Sequence, residues 1–209
     1  MNTLQRTASD TTSLAEIPAA VAALRRGEVV VYPTETFYGL AVDPFIPGAL
    51  DRLFAIKARE PDKTIALIAS EASMAFGVAS EVPPIARRLA EKFWPGALTL
   101  VLPARAGLPS ALVGVDGGVG VRVSSHPIAN ALAAALGGCI TATSANIAGQ
   151  PPAKTVAAAR ASFGAAIAMY LDGGSLIADY PSTVATVADG QLRILREGAI
   201  SAPVLNGSL

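Results

Sequence analysis

The fold is decided by the stretch VVVYPTETFYGLAVD, residues 29–43. Three valines and Tyr32 come first, and such a β-branched run is typical of a buried strand. Pro33 ends this strand, and a turn closed by Gly39 follows. The polar side chains on the turn are Thr34, Glu35, Thr36 and Tyr38. Because open α/β sheets bind ligands at the carboxyl ends of their strands, the turn is either part of a ligand site or a polar connection that caps the next helix.

Length and composition indicate a globular protein with a substantial core. The chain has 209 residues, of which 52% are hydrophobic and 15% charged, and this length fits one large domain. We predict a flexible N-terminal tail over residues 1–13 and a single domain over residues 14–209. The start of the chain lacks the apolar core of a signal peptide, and no apolar run reaches membrane-spanning length. We therefore expect a cytoplasmic protein with no membrane partner.

The charge balance argues against general nucleic-acid binding. The 16 Lys and Arg residues equal the 16 Asp and Glu residues, so the formal net charge is zero. Proteins that bind nucleic acids through the phosphates need a strong basic excess to displace counterions. A small local basic site is still compatible with this balance.

Helical and strand patterns alternate irregularly along the chain. The predicted helices span residues 14–26, 47–59, 83–93, 127–136 and 155–163. The predicted strands span residues 29–32, 65–69, 97–102, 119–123, 139–143, 166–171, 183–188 and 192–195. Because several strands follow one another without a helix between them, we predict an α/β fold with a mixed sheet rather than a purely parallel one.

Polar groups recur where the predicted strands end. They are Thr34 and Thr36, Arg122 to Ser125, Thr143 to Asn146, and Ser182 with Thr183. If these ends meet, they form a hydroxyl-rich pocket near five cationic side chains: Lys57, Arg59, Lys63, Arg122 and Arg196. Such a group of cations on a neutral protein predicts a strongly anionic ligand, with phosphates the obvious candidate. Taken singly, each cation is more often a solvated surface charge.

Two residues that often carry catalysis have ordinary structural interpretations here. The single histidine, His126, precedes a proline, and we predict a role at a helix start or in a turn. The single cysteine, Cys139, lies in an apolar run and is predicted to be a small buried hydrophobe. The chain also has no glycine-rich phosphate loop ending in Gly-Lys-Ser/Thr and no nucleophile elbow. An enzyme of this kind would act by positioning and charge stabilisation, without a covalent intermediate.

Seven segments together carry a family resemblance. In chain order they are YPTETFYGLAVDP, IKAREPDK, FWPGALTLVLPA, VRVSSHP, TATSANIAGQP, PSTV and LREGAI. They cover about residues 28–200 and resemble the YrdC/TsaC family, the threonylcarbamoyl-AMP synthases. The resemblance implies a twisted mixed sheet with flanking helices and a concave basic cleft. It also implies a reaction in which L-threonine, bicarbonate or carbon dioxide, and ATP with Mg²⁺ give L-threonylcarbamoyl-AMP and pyrophosphate.

The same resemblance implies partners. The product of the family feeds a complex that makes threonylcarbamoyladenosine beside the anticodon of tRNA. We therefore expect this chain to pass its product to a tRNA threonylcarbamoyl-transferring complex and to bind tRNA itself weakly or not at all.

The resemblance also implies roles for individual residues. The residues matching the threonine-binding motifs are Thr36, Arg122, the backbone at Ala142, and Ser182. The residues matching the ATP-binding motifs are Arg59, Lys63, Ser144, Asn146 and Arg196, and the K-x-R pair Lys57 and Arg59 is implied to be catalytic. No protein ligands for a metal are implied.

Three positions depart from the family pattern. Glu60 stands between the K-x-R pair and Pro61, whereas relatives usually have proline directly after the pair. Pro152 stands where many relatives have a serine that helps to bind ATP. Ile68 stands where many relatives have a histidine near the threonine site.

Two other classes of function were weighed against the synthase. A basic concave cleft can hold a phosphodiester backbone, so a non-catalytic RNA-binding module is the alternative, although zero net charge and few aromatic side chains argue against it. A carbamoyl transferase is the third, and the chain lacks the zinc-finger cysteines of full maturation enzymes of that kind.

Overall fold

A nine-stranded sheet forms the centre of the computed structural model, which describes residues 13–58 and 64–209. The strands are β1 (Val30–Tyr32), β2 (Gly39–Ala41), β3 (Ala66–Ala69), β4 (Leu98–Pro103), β5 (Gly118–Val123), β6 (Ile140–Ser144), β7 (Met169–Tyr170), β8 (Thr183–Ala188) and β9 (Gln191–Arg196). Their order in the sheet is β7-β1-β2-β6-β3-β5-β4-β8-β9.

Seven α-helices and two short 3₁₀ turns accompany the sheet in the described part of the chain. The helices are α1 (Ile17–Arg25), α2 (Ala49–Lys57), α3 (Ala72–Phe76), α4 (Pro84–Phe93), α5 (Pro127–Leu136), α6 (Val156–Phe163) and α7 (Ala202–Asn206), and the 3₁₀ turns are Ser110–Leu112 and Gly164–Ala166. Among these helices, none is long and apolar enough to cross a membrane.

The sheet is mixed, as the sequence predicts. Strand β1 pairs antiparallel with β2 and parallel with β7, while β3 pairs parallel with β5 and antiparallel with β6. At the other side, β4 pairs parallel with β8, which forms an antiparallel hairpin with β9. The predicted α/β fold is therefore confirmed.

Strand β1 is buried on both of its faces, and its composition shows why. Side chains alternate between the two faces of a strand. Val29 and Val31 pack into the larger core, together with residues of α2 and α4, whereas Val30 and Tyr32 pack into the smaller core beneath α1 and α5. An uninterrupted apolar run is what a strand covered on both faces requires.

Strand β2 is a difference from the prediction, which treated Gly39 as the end of a turn. In the structure Gly39 begins a three-residue strand and lies opposite Tyr32. A Cβ atom at this position would be only 3.0 Å from Cε1 of Tyr32, so the glycine allows the aromatic ring to lie against the strand. Because β2 is short and begins with glycine, local propensity does not identify it.

Other differences concern the ends of elements. The helix predicted over residues 47–59 covers Ala49–Lys57, and Ala58 after it has the left-handed φ of 47°. Helices α3 and α7, of five residues each, were not predicted. Of the tail predicted over residues 1–13, residues 1–12 lie outside the described residues. Ser13, its last residue, is buried, and its hydroxyl group donates to the backbone oxygen of Asp172 over 2.8 Å.

Candidate functional site

A cleft of about 850 Å³ opens where the polar strand ends come together. The predicted polar residues that line it are Thr34, Thr36, Arg122, Thr143, Ser144 and Ser182. They come from the segment after β1 and from the ends of β5, β6 and the segment before β8. The prediction that these ends meet in one pocket is confirmed for these six residues, whereas the other predicted polar side chains, Ser124, Ser125, Asn146 and Thr183, do not line the cleft.

The turn after β1 holds its hydroxyl groups in fixed positions. Thr34 and Thr36 are buried, and their Oγ1 atoms are 3.0 Å apart in a hydrogen bond. Thr34 Oγ1 also donates to the backbone oxygen of Phe37 over 2.7 Å and accepts from the backbone nitrogen of Thr36 over 3.1 Å. With its own donor used by Phe37, Thr34 can serve as acceptor for the hydroxyl of Thr36. The turn therefore presents Thr36 to the cleft in a defined orientation.

Arg122 stands at the end of β5 and is held from outside the cleft. Arg122 is only 6% exposed. Its Nη1 lies 2.8 Å from Oε1 of Glu35 in an ion pair, although the N–H bond is not aligned for a hydrogen bond to that oxygen. The other carboxylate oxygen of Glu35 accepts a short hydrogen bond from Ser124 Oγ. Removing one partner of such a buried pair typically costs about 3–5 kcal/mol, because the remaining charge is left uncompensated. Arg122 is thus a fixed cation in the wall of the cleft.

Ser182 and Arg196 form the opposite wall. The hydroxyl of buried Ser182 is 2.9 Å from Oγ1 of Thr99, and Arg196 Nη2 donates to the Ser182 backbone oxygen over 2.8 Å. Partial burial of the Arg196 guanidinium lowers its pKa, and the nearby positive charge of Arg122 lowers it further. An anion bound between the two guanidinium groups would relieve this repulsion.

A third part of the wall is the turn after β6. Ser144 Oγ donates a short hydrogen bond to Oδ1 of Asn146, whose Nδ2 donates to the backbone oxygen of Gln150 over 2.6 Å. Ser144 is a lining residue of the cleft and Asn146 is not. The amide of Asn146 therefore braces the turn that brings the Ser144 hydroxyl to the cleft.

Lys57 supports the same turn. It ends α2, is 4% exposed, and its ammonium group donates to the backbone oxygens of Ser144, through a short contact, and of Asn146, over 3.0 Å. Buried ammonium groups need such acceptors, since an unpaired buried charge is costly. In this structure Lys57 is therefore placed as a support of the turn and does not line the cleft.

The five cations predicted near the pocket fall into three groups. Arg122 and Arg196 line the cleft, Lys57 lies beneath the turn, and Arg59 and Lys63 lie outside the described residues. The aspartates at positions 116 and 179 line the cleft as well. The charges that the described residues bring to the cleft are therefore mixed.

The departures from the family pattern have different locations. Pro152 lines the cleft, where it offers a ring and a carbonyl but no hydroxyl. Ile68 is fully buried in the smaller core, beneath α1 and α5, and does not line the cleft. Glu60 lies outside the described residues. Ala142, predicted for its backbone, lines the cleft beside its strand partner Ala66.

The structural roles predicted for the single histidine and cysteine are confirmed. His126 is the N-cap of α5, and its Nδ1 accepts from the backbone nitrogen of Ile128 over 3.3 Å. Cys139 is 3% exposed, and burial raises the pKa of its thiol to about 11. A thiol with such a pKa is almost entirely protonated near neutral pH and is a poor nucleophile.

Two site residues were missed at the level of sequence. Thr99 is 4% exposed and orients Ser182, and its only signal was a hydroxyl within the apolar run ALTLVL. Glu35 was noted among the polar residues of the turn but given no role, because its partner Arg122 is far away along the chain. Within the described residues, no group of three or more His, Cys, Asp and Glu residues is placed to hold a metal ion.

Comparison with known proteins agrees with this arrangement. A family model named Sua5/YciO/YrdC, with the description "Telomere recombination", matches residues 22–198. A threonylcarbamoyl-AMP synthase of Chromohalobacter salexigens is 42% identical over 176 residues, which are 84% of this chain and 94% of that protein. A threonylcarbamoyl-AMP synthase of Thiobacillus denitrificans is 39% identical over 175 residues, which are 84% of this chain and 93% of that protein.

Solved structures show the same fold. Sua5 of P. abyssi, solved in complex with L-threonine, superimposes with a TM-score of 0.89 and 32% identity over 94% of this chain, which corresponds to 58% of the Sua5 chain. YciO of E. coli has a TM-score of 0.80 and 28% identity, covering 89% of this chain and 90% of its own. The sequence resemblance is confirmed by these matches, and the chain belongs to the Sua5/YciO/YrdC family.

Proposed function

We propose that this protein is an L-threonylcarbamoyl-AMP synthase, which converts L-threonine, bicarbonate or carbon dioxide, and ATP into L-threonylcarbamoyl-AMP and pyrophosphate. The observation that carries the proposal is that Thr36, Arg122 and Ser182 line one cleft. A fixed guanidinium among hydroxyl groups suits a small polar amino acid. Relatives at 39–42% identity are named threonylcarbamoyl-AMP synthases, and a related Sua5 structure contains L-threonine.

The threonine end of the cleft would be built around Arg122. Its guanidinium would pair with the carboxylate of the amino acid, since arginine recognises carboxylates with charge-assisted hydrogen bonds. The hydroxyl groups of Thr36 and Ser182 would bind the remaining polar groups, with help from the backbone at Ala142. All four positions line the cleft.

The ATP end would lie toward Arg196 and Ser144, which also line the cleft. The resemblance adds Arg59 and Lys63 to this end as phosphate-binding side chains, with Asn146 bracing the Ser144 turn. ATP would enter as its Mg²⁺ complex, because Mg²⁺ binds mainly to substrate phosphates and water with one or two carboxylates. The carboxylates of Asp116 and Asp179 line the cleft and could serve in that way.

The chemistry would begin with a carbamate. The amine of threonine adds to carbon dioxide, loses a proton, and forms an N–C bond. A carbamate oxygen then attacks the α-phosphorus of ATP, and the bond to the bridging oxygen of the β-phosphate breaks so that pyrophosphate leaves. Negative charge grows on the leaving group, where Arg196 and the cations of segment 59–63 would stabilise it. Lys57 would act by holding the turn that carries Ser144.

The product is a reactive mixed anhydride, so it would be passed to a second component. We propose a complex that transfers the threonylcarbamoyl group to tRNA, with little or no direct binding of tRNA by this chain. The zero net charge supports weak binding, since phosphate contacts on nucleic acids require a basic surface.

The decisive experiment is a reconstitution with purified protein, Mg·ATP, bicarbonate and labelled L-threonine. We expect an adenylate that carries the threonine label, together with one pyrophosphate for each adenylate. Pyrophosphate release should stop when either threonine or bicarbonate is omitted, because the nucleophile is assembled from both. Equally fast release in carefully degassed buffer without bicarbonate would contradict the proposal.

A further inference from the structure

We propose that Glu35 is a positioning residue of the cleft. It fixes the orientation of the Arg122 guanidinium relative to Thr36, so that both residues contact the same bound amino acid. The inference rests on the proposed function, because it assigns Glu35 a part in threonine binding. Glu35 acts through Arg122 and does not itself touch the ligand. Its carboxylate is not part of the cleft lining, whereas its chain neighbours Thr34 and Thr36 are.

Side chains alternate in direction along the turn after β1. Thr34 and Thr36 line the cleft, and the carboxylate of Glu35 between them turns the other way, toward the end of β5. There its two oxygens contact different partners, Nη1 of Arg122 at 2.8 Å and Oγ of Ser124 through a short hydrogen bond. One side chain therefore joins the turn after β1 to the end of a strand that is not its neighbour in the sheet.

The partners of Glu35 are themselves held in place. Ser124 is fully buried and also accepts from the backbone nitrogen of His126 over 3.2 Å, at the start of α5. The side chains of Arg122 and Glu35 are only 7% and 13% exposed. A carboxylate fixed in this way limits the rotamers of the guanidinium, and precise placement of a binding group depends on such support.

The negative charge of Glu35 balances the positive charge of Arg122, so the pair adds little net charge to the cleft. That balance suits an amino acid zwitterion, which is neutral overall but offers a carboxylate to the guanidinium. Arg196, which donates to the backbone oxygen of Ser182, has no ion-pair partner among the described residues, so its positive charge is left for an anionic group of a ligand.

The test is a double-mutant cycle with Glu35→Gln and Arg122→Gln, read by calorimetric titration with L-threonine and, separately, with Mg·ATP. We expect Glu35→Gln to weaken threonine binding about ten-fold or more and to leave Mg·ATP binding unchanged. In the Arg122→Gln background, Glu35→Gln should have no further effect on threonine binding. Glu28→Gln is the matched control, because Glu28 forms an ion pair of 2.7 Å with Arg26 at the surface.

Melting temperatures of the same variants without ligand report on the ion pair alone. Each single variant leaves one buried charge unpaired, so each should melt below the wild type, and the double variant should recover part of the loss. Glu35→Asp, which keeps the charge on a shorter side chain, should restore part of the threonine affinity.

Three results would overturn the inference. The first is a Glu35→Gln variant that binds threonine as tightly as the wild type. The second is a Glu35→Gln variant that loses threonine affinity and Mg·ATP affinity equally. The third is a double variant whose loss of threonine affinity is the sum of the losses in the two single variants. If the wild type does not bind threonine at all, the proposed function fails and the positioning role fails with it. That case is distinguishable, because the melting cycle would still show a coupled pair.

Discussion

Lys57 donates a hydrogen bond of 3.0 Å to the backbone oxygen of Asn146, and this contact joins the end of α2 to the turn after β6. The same ammonium reaches the backbone oxygen of Ser144. The sequence pattern alone would assign Lys57 to a phosphate. In the structure its ammonium group instead binds two backbone carbonyl groups of the turn that carries the Ser144 hydroxyl. Its effect on a ligand would be exerted through that turn.

Replacing Lys57 tests this assignment. Lys57→Met keeps an unbranched side chain, one atom shorter, but leaves two acceptors without their donor, and each unsatisfied group costs about 1–3 kcal/mol. We expect a clearly lower melting temperature and weaker binding of Mg·ATP. Arg193→Met is the control, because Arg193 forms an exposed ion pair of 2.8 Å with Asp189, of a kind worth at most about 1 kcal/mol. A Lys57→Met protein that melts like the wild type would contradict the supporting role.

Thr36→Ala should affect the two ligands differently. The substitution removes one hydroxyl from the threonine end of the cleft, and a single neutral hydrogen bond is worth about 0.5–1.5 kcal/mol. Threonine affinity should fall up to roughly ten-fold, while Mg·ATP binds as before in calorimetric titrations. Thr186→Ala is the control, since that hydroxyl donates to the backbone oxygen of Val101 over 2.9 Å and does not line the cleft. Equal loss of both ligands would point to damage of the turn.

Serine should be a poor but detectable substrate. It lacks one methyl group of threonine, and discrimination by a single methyl group is limited to about 1–3 kcal/mol. The small residues Ala66, Gly120 and Ala142 line the cleft and leave room for that methyl group. Initial rates of adenylate formation with each amino acid give the ratio of kcat/KM values. Equal kcat/KM values for serine and threonine would mean that no apolar side chain contacts the methyl group.

The thiol of Cys139 should be unreactive in the native protein. Burial raises its pKa to about 11, so the thiolate fraction at pH 8 is about 0.1%, against roughly a quarter for an ordinary cysteine. Its 3% exposure slows access further. We expect modification by an aromatic disulfide reagent to be at least about a hundred-fold slower than in denaturant, and to accelerate as the pH approaches 11. Rapid reaction at pH 8 would contradict this burial.

The sequence predicts those elements best whose signals are local. Helix α5 matches its predicted bounds of residues 127–136, because a proline opens it and Gly137, with a φ of 77°, ends it. Strand β8 also matches its predicted bounds of residues 183–188. By contrast, β2 depends on pairing with β1 and β6, and such tertiary contacts cannot be derived from a three-residue segment.

The functional site, too, could be predicted from the sequence only in part. Hydroxyl groups at strand ends could be predicted to meet, because sheets bring strand ends together, and Thr36, Arg122 and Ser182 do line one cleft. The ion-pair and hydrogen-bond partners of those residues could not be predicted. The partners Glu35 and Thr99 are distant along the chain from the groups they orient. A periodic pattern of hydrophobic residues does not predict contacts of this kind.

The segment that leads to Ser182 is hydrogen-bonded near both ends, and its middle exposes Ile177 next to Leu176, whose backbone nitrogen donates to the backbone oxygen of Lys154 over 2.8 Å. Asp172 is held by Ser13, and Thr183 donates to the backbone oxygen of Ile200 over 2.6 Å, whereas Ile177 is 93% exposed. A protease that cuts before exposed isoleucines should therefore nick the chain there, while pairing of β8 with β4 keeps the two pieces together. Ser182 and Arg196 would lie on the smaller piece and Arg122 on the larger. The cleft should therefore persist in the nicked protein, with its two walls on different polypeptides.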